Sequence, residues 1–337
     1  MIPASTLREL DSSNSATADS LLSVFQVTTL HNQRLHPLPD AEMLHTHIKP
    51  RTTSDRKVIA AFDESGTAAA YALVTRNRLA NRTLAELDLR VAPDQRRRGY
   101  GTALLEAAKQ LARELGCDRL VADFPSVPGG VDFAEKRGGK LSYQHQRTVL
   151  ELRKIDVGRY RALAIPTGPD GPGRDNAQYK SVRWTDHCPD DLVQAHIVAR
   201  GAMHDEPTGD LVKEKKTMTA AELRQLEDAR IAYGQRRHTV AALAPNGEMA
   251  AFTQVAILVN SRVPLAPMGN TAVSRAHRGH GLALGLKAEL ALWMLEREPH
   301  IELIDCWNNV ENKAMTHINQ MLGWEITGTA SAYTFEL

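Results

Sequence analysis

A chain of 337 residues exceeds one ordinary domain and suits two of about 150 residues, each able to bury its own core. Its 41 basic and 40 acidic residues leave a formal charge of +1, so the whole molecule lacks the electrostatic footprint of a general nucleic-acid or anionic-membrane binder. Cys117, Cys188 and Cys306 are odd in number and widely spaced, which argues against a disulfide framework or a cysteine zinc site; without a signal-like start or a run of about 18 apolar residues, the reading is a soluble, cytoplasmic, metal-free protein.

A helical stretch over 18–35 precedes RKVIAAFDESGTAAAYALVTR (56–76), two β-like runs broken by Asp-Glu-Ser-Gly, the turn chemistry of a hairpin. TLAELDLRVAP (83–93) gives a third strand, stopped by Pro93. From Tyr100, Leu104, Ala108, Leu111 and Leu115 keep helical spacing, and Gly116 is placed to cap the helix end. DRLVADF (118–124) reads as a strand, VDFAEKRGG (131–139) as a short helix and KLSYQHQRTVLEL (140–152) as the strand closing the first half. IPTGPDGPGRDN (165–176) can neither pack a core nor continue a helix and predicts a linker. Beyond it the order returns. RHTVAALAPNGEMAAFTQVAILV (237–259) is a hairpin, PMGNTAVS (267–274) a strand, HGLALGLKAELALWMLERE (280–298) a helix, IELIDCW (301–307) a strand, NKAMTHINQMLG (312–323) a helix and SAYTFEL (331–337) a final strand. Pairing Gly99 with Gly279 sets the repeat at 180 residues, and pairing Gly138 with Gly323 sets it at 185. The expected fold is α/β (α+β mixed sheet), with two independently folding tandem domains, each a mostly antiparallel mixed sheet flanked by helices. They span 1–155 and 178–337, with 156–177 as linker.

In both halves a strand runs into arginine-rich sequence, then Gly-x-Gly, then a helix: RRRGYGTA at 96–103 and HRGHGLA at 277–283. Positions without a Cβ let the backbone approach a ligand, the open N–H groups and dipole of the helix start favour negative charge, and arginine adds bidentate donors. One such turn is as readily a softened bend with solvated arginines; two at matching places point to phosphate. A dinucleotide fold would need a third glycine where Leu104 stands, and a P-loop would need a following Gly-Lys-Ser/Thr that neither turn has. A nucleic-acid surface would need stacking aromatics, and only Tyr100 is near.

The order hairpin, strand ending in VAPDQRRRGYGTALL, amphipathic helix, strand and short helix ending in Lys-Arg-Gly resembles the GNAT acyltransferase superfamily, whose motif is (Q/R)-x-x-G-x-(G/A). Arg96, Gly99 and Gly101 fill it. In the second half Gly279 and Gly281 match, but Ala276 stands three places before Gly279, with Arg275 one place earlier and Arg278 directly before the turn. MHDEPTGDL, TAVSRAHRGHGLALGLK and CWNNVENKAMTHINQMLGW are similar to tandem-repeat acyltransferases common in actinobacteria, a group architecturally similar to mycothiol synthase. The resemblance covers roughly 55–150 and 178–337.

It implies acetyl-CoA, or another acyl-CoA. The pyrophosphate would lie on the turn of Arg96, Arg97, Arg98, Gly99, Tyr100, Gly101 and Thr102, and on that of Arg278, Gly279, His280, Gly281, Leu282 and Ala283. Pantetheine would run beside Leu89 to Val91 and Thr271 to Val273, where a backbone N–H polarises the thioester carbonyl. Asn308 and Asn312 would reach the CoA chain, Asn312 being equally a plain N-cap. The implied activity is N-acetyl transfer to the amine of a small molecule, by a monomer or homodimer with neither nucleic acid nor membrane as partner. The fuller acceptor-side sequence places catalysis in the second half. A non-catalytic acyl-CoA-binding scaffold with degenerate halves is the alternative class, and RNA binding through Arg96, Arg97 and Arg98 a third.

An alkylammonium must lose its proton before it attacks. Glu86 and Asp88, two apart on one strand face, are the first-half candidate bases, although solvated carboxylates are the commoner explanation. In the second half His204 and Glu206, flanking Asp205, follow the long helix where the family builds its acceptor wall. Many relatives carry a tyrosine acid four residues before the helix-ending glycine; here Ala134 and Asn319 hold those places.

Overall fold

Alternating and continuous apolar runs pair into a single sheet in this computed structural model, which describes residues 7–125, 129–165, 177–205 and 217–337. The first half runs β1 (Leu7–Leu10), α1 (Ser15–Asn32), α2 (Ala41–Ile48), β2 (Ser54–Phe62), β3 (Ala68–Asn77), β4 (Leu84–Val91), α3 (Tyr100–Glu114), β5 (Arg119–Pro125), α4 (Gly130–Glu135) and β6 (Lys140–Glu151). After α5 (Val157–Leu163) the second half runs β7 (Lys180–Thr185), α6 (Val193–Arg200), α7 (Ala220–Ala232), β8 (Gln235–Leu243), β9 (Met249–Leu258), β10 (Leu265–Val273), α8 (Leu282–Arg297), β11 (Leu303–Asn309), α9 (Lys313–Met321) and β12 (Glu325–Glu336).

Local chemistry fixes the boundaries. The β2–β3 turn closes because the Asp63 carboxylate accepts from the backbone N–H groups of Ser65 and Thr67 while Gly66 takes φ +81°. Asn14 and Asp40 cap α1 and α2, and Thr219 with Glu222 forms a capping box on α7. The period of two along β3 then sorts its side chains: Ala70, Ala72 and Val74 pack under α3, whereas Tyr71 and Leu73 pack under α1 and α2. In the second half Val255 and Ile257 of β9 face α8, and Phe252 faces α6. Helices therefore cover both faces of the sheet.

The strand order is β1-β2-β3-β4-β5-β12-β6-β11-β10-β9-β8-β7. Each half's closing strand has crossed to the other half. β12 pairs with β5 from Ala330↔Pro125 to Glu336↔Arg119, and β6 pairs with β11 from Leu303↔Glu151 to Asn309↔His145. The two exchanged strands also pair with each other. This corrects the expectation of independently folding halves, because either half alone would expose the unpaired edge that its partner's strand now fills. The expected linker is also partly wrong. Within 156–177, α5 is packed structure: Tyr160 donates to the Leu322 carbonyl at 2.5 Å, and a Cβ on Gly285 of α8 would stand 2.8 Å from Ile165. Residues 166–176 lie outside the described residues.

Arg147 of β6, fully buried, locks the seam. Its Nε donates to Asp305 Oδ2 of β11 at 2.9 Å, and its Nη1 donates to the Arg34 carbonyl and to Thr327 Oγ1. Removing one partner of a buried pair leaves an uncompensated charge. Asp305→Ala is therefore expected to cost about 3–5 kcal/mol of unfolding free energy, read from denaturant midpoints.

His196 of α6 sits edge-on between the Trp184 and Phe252 rings, and burial first, then the Arg200 and Arg230 cations, pull its pKa down to about 3. The unfolded imidazole titrates near 6.5, so between those values the unfolded chain binds a proton that the folded chain refuses. Stability should fall as pH drops from about 6.5 towards about 3. His196→Phe should flatten that loss, checked by comparing urea midpoints at about pH 7 and about pH 4.5.

Candidate functional site

The two glycine turns repeat the same succession of elements, at an offset of 182 residues. Each strand ends in valine, Val91 or Val273, and is followed by one turn of 3₁₀ helix, Pro93–Gln95 or Arg275–His277. An arginine comes next, its Nε donating to that valine's carbonyl: Arg96 at 3.4 Å and Arg278 at 3.3 Å. Then come a left-handed residue, Arg97 (φ +65°) or Gly279 (φ +84°), and the N-cap glycine, Gly99 (φ +97°) or Gly281 (φ +69°). The second motif is thus Arg278-x-x-Gly281-x-Ala283, with no departure from the pattern. Pairing Gly99 with Gly279 put the register two residues out, because Gly279 serves the position that Arg97 fills in the first half. Arg275 is not the motif arginine; it lies on the 3₁₀ turn.

The copies differ in what lies over them. A Cβ added at Gly279 or Gly281 would meet nothing within 4 Å. At Gly101 it would meet the Phe133 ring at 3.2 Å, and Arg137, stacked 4.4 Å from that ring, donates to Thr102 Oγ1 on the first turn of α3. At the 182-residue offset Gly101 answers to Ala283, so Phe133 and Arg137 lie against a position where the second half already carries a Cβ.

The strands beside the cradles differ too. β4 runs parallel to β5 over Leu84–Leu87 and β10 parallel to β11 over Leu265–Pro267, after which each pair parts. β4 keeps unbroken register with β3, whereas β10 breaks its pairing with β9 between Met268 and Thr271, leaving Gly269 and Asn270 on a bulge. The wedge between β10 and β11 is a cleft of about 730 Å³. Thr271 to Val273 form one wall, Trp307, Asn308, Asn312 and Met315 the other, and Gly279, Gly281 and Ala283 the floor at one end.

Behind the cleft is a buried polar network that the first half lacks. Lys287 of α8 donates to Asn319 Oδ1 at 2.7 Å; Asn319 Nδ2 donates to Asn308 Oδ1 and Thr148 Oγ1, both at 3.1 Å. Burial pushes the Lys287 ammonium below its usual range, and its Nζ lies 4.4 Å from the Trp324 ring centre. By the same repeats, the first half carries Leu105 and Ala134 here, both fully buried. Composition and spacing missed Lys287, though one signal was present: a lysine on the buried face of an otherwise apolar helix.

The sequence-predicted residues fall as follows. Leu89 and Val91 pack against the core beneath α3, while Arg97 and Arg98 are exposed. Thr271 shares a 2.7 Å hydroxyl contact with Thr253. Asn312 caps α9, its Oδ1 accepting from the Met315 N–H, and still lines the cleft. Glu86 is exposed on β4. Asp88 is held by Arg90 Nε at 2.9 Å and His47 Nε2 at 3.0 Å; burial would raise its carboxyl, but those two partners outweigh it and keep it below the usual carboxylate range. Arg90 in turn donates to Thr29 Oγ1 of α1, so this face of the first half is filled by its own ion pairs. His204 lies on the turn Gly201–Asp205, whose Ala202, Met203 and Asp205 line the cleft. Its side chain and Glu206 lie outside the described residues.

Asp205 itself holds both arginines of the open turn. It accepts from Arg275 Nε and Nη2 at 3.0 and 2.9 Å and from Arg278 Nη2 at 2.7 Å, contacts with Arg275 foremost that keep its carboxyl below the ordinary range. A carboxylate there competes with any incoming anion. Asp205→Ala should tighten CoA binding about two- to fivefold at low ionic strength and less at high salt, read by calorimetry.

Two repeats, each with a strand parting from its parallel neighbour beside a glycine-opened helix start, define a duplicated acyltransferase-type fold. Residues 24–138 match the model of the acetyltransferase (GNAT) family. Along its whole length the chain is similar to a tandem GNAT protein from the clavulanic acid biosynthesis pathway, with 24% identity, a TM-score of 0.76 and 98% of each chain covered. A GCN5-related N-acetyltransferase from Sphaerobacter thermophilus aligns at 14% identity and TM-score 0.72, over 100% of this chain and 97% of that one. The glucosamine N-acetyltransferase region of a fungal multi-domain GH3 β-N-acetylglucosaminidase aligns at 14% and 0.68, over 99% of this chain and 38% of that one. No curated protein matches the chain in sequence. The first half thus matches the GNAT family model, and the whole length shares the fold of a tandem GNAT protein.

Proposed function

We propose that the protein is an acyl-CoA-dependent N-acyltransferase, with acetyl-CoA as the simplest donor and the amine of a small molecule as acceptor, and that transfer takes place in the second half. One observation carries this reading: the open cradle at Gly279 and Gly281 leads along β10 to the bulge at Gly269 and Asn270, within one continuous cleft. Acyl-CoA fits the residues present. The backbone N–H groups of residues 278–283 and the Arg278 guanidinium suit its pyrophosphate, and the β10 edge from Val273 back to Thr271 suits an extended pantetheine. The bound group would supply an activated acyl carbonyl.

The chain's residues then orient and polarise. A bulge frees main-chain N–H groups from the ladder, so the Gly269–Asn270 segment is where a donor for a developing oxyanion belongs. Lys287 places positive charge behind Asn319 and Asn308, which favours release of a thiolate where relatives use a tyrosine. We place the proton-accepting role on the Gly201–Asp205 side, with His204 and Glu206 as candidates, and not on Asp88, whose ion pairs make it a weak base. The first half supports a second, local reading as a non-catalytic scaffold, favoured by the unbroken register of β4 and by Leu105 and Ala134 where the second half has Lys287 and Asn319.

Calorimetry with acetyl-CoA tests both. One site per chain is expected. Gly281→Val, which strains a left-handed turn and fills the cradle, should weaken binding tenfold or more, about 1.4 kcal/mol, whereas Gly99→Val should not. Two equivalent sites would overturn the placement in the second half, and no binding at all would overturn the function.

A further inference from the structure

At the bulge the cleft meets an excess of positive charge that acyl-CoA does not use. Arg237 of β8 reaches across β9, its Nη1 only 2.6 Å from where a Cβ on the cleft-lining Gly269 would stand, so this arginine lies directly behind the cleft wall at the acyl end, where the glycine leaves it uncovered by a side chain. Its Nη1 lies 3.4 Å from Gln254 Oε1, and its Nε is buried with no hydrogen-bond partner among the described residues. Arg200 ends α6 two residues before Ala202 on the cleft wall, and its Nη1 is likewise buried and unpartnered among the described residues. Arg230, in the last turn of α7, feels the charges of Arg237, Arg200 and Arg51. Arg51 comes from the first half. Its guanidinium packs 5.5 Å from the Tyr233 ring centre, Nη2 donates to the Thr46 carbonyl, and Nε is buried without a partner among the described residues.

Among the described residues, the carboxylates that face these arginines are already engaged. Glu227, which partly offsets Arg200 and Arg230, accepts from the Cys188 N–H at 3.0 Å and from Arg224 Nη1 at 2.7 Å. Asp186 accepts from the backbone N–H of Arg237. Burial and mutual repulsion consequently push Arg230 down to about 8 and Arg237 to about 10. Like charges gathered at the end of a half-dry cleft destabilise the fold, and such clusters concentrate where a ligand neutralises them. The planar guanidinium fork matches a carboxylate or phosphate.

We propose that Arg51, Arg200, Arg230 and Arg237 bind an anionic group, a carboxylate or phosphate, carried by the acceptor, and thereby hold its amine at the Gly269 bulge. The proposal rests on the acyl-transfer reading of this cleft. Its site is built by both halves, with Arg51 supplied by the first and the other three arginines by the second.

The test is calorimetry on the full chain saturated with CoA, titrated with succinate, inorganic phosphate and, as the uncharged control, succinamide. Saturable binding of an anion and none of succinamide is expected. Arg230→Gln and Arg237→Gln should each weaken anion binding tenfold or more, leave CoA affinity unchanged and raise Tm, because each removes an uncompensated charge; an arginine with a merely structural role would lower Tm when replaced. Should a glutamine variant not fold, Arg237→Lys keeps the charge without the fork and should weaken anion binding about threefold or more. Unchanged anion affinity in these variants, or no anion binding by the CoA complex, overturns the proposal and leaves the acyl-CoA reading standing. Failure to bind CoA overturns that reading instead, and the same titrations on the CoA-free chain still decide the arginines. Succinyl-CoA binding tenfold tighter than acetyl-CoA, with the preference lost in Arg237→Gln, would overturn the acceptor assignment and put the anion on the acyl chain.

Discussion

The exchange of β6 and β12 between the halves is the constraint on which the cleft depends. β11 is held along its whole length by β6, and β10 is held by β9, so the two strands are anchored on their outer edges and free to part on their inner ones. Three parallel residue pairs join them at Leu265–Pro267 before they diverge. A strand pinned to a single neighbour would be free to slide shut over an empty wedge; a strand inside a twelve-stranded sheet is not. The Arg147–Asp305 pair and the two other groups that Arg147 engages, the Arg34 carbonyl and Thr327 Oγ1, make this anchoring specific, since the register of β6 against β11 decides whether a buried guanidinium finds its carboxylate.

Duplication has left two copies of one device in different condition. The first retains the backbone of the phosphate turn, down to the Arg96–Val91 hydrogen bond, yet β4 keeps unbroken register and Asp88, Arg90 and His47 satisfy one another on the opposite face of the sheet. The second keeps both glycines clear, bends β10 at Gly269 and replaces two core apolar residues with Lys287 and Asn319. Beside the turn, the second copy thus buries a polar network where the first keeps apolar packing.

Much of this was legible in the residues. Hairpins, the strands feeding the turns, the amphipathic α3 and the Gly-x-Gly bends follow from local rules of period, capping and backbone freedom, and the structure reproduces their order. What local rules do not carry is partnership. KLSYQHQRTVLEL and SAYTFEL read as closing strands with no mark of which sheet each closes, because alternation specifies a face and not a neighbour. The two-residue error in aligning the repeats had a similar origin: Gly279 looked like the counterpart of Gly99, and only the dihedral angles show that it answers to Arg97. The four arginines at the bulge escaped notice because they come from four separate segments, none basic enough to stand out in a chain of balanced charge.

The exchange also bears on how the polypeptide reaches its native state. β5 leaves the ribosome about two hundred residues before β12, its neighbour in the sheet, so the N-terminal half cannot finish until β12 has emerged. Until then it must wait with an open strand edge in the crowded cell, a natural target for holdase chaperones and for mispairing between nascent chains.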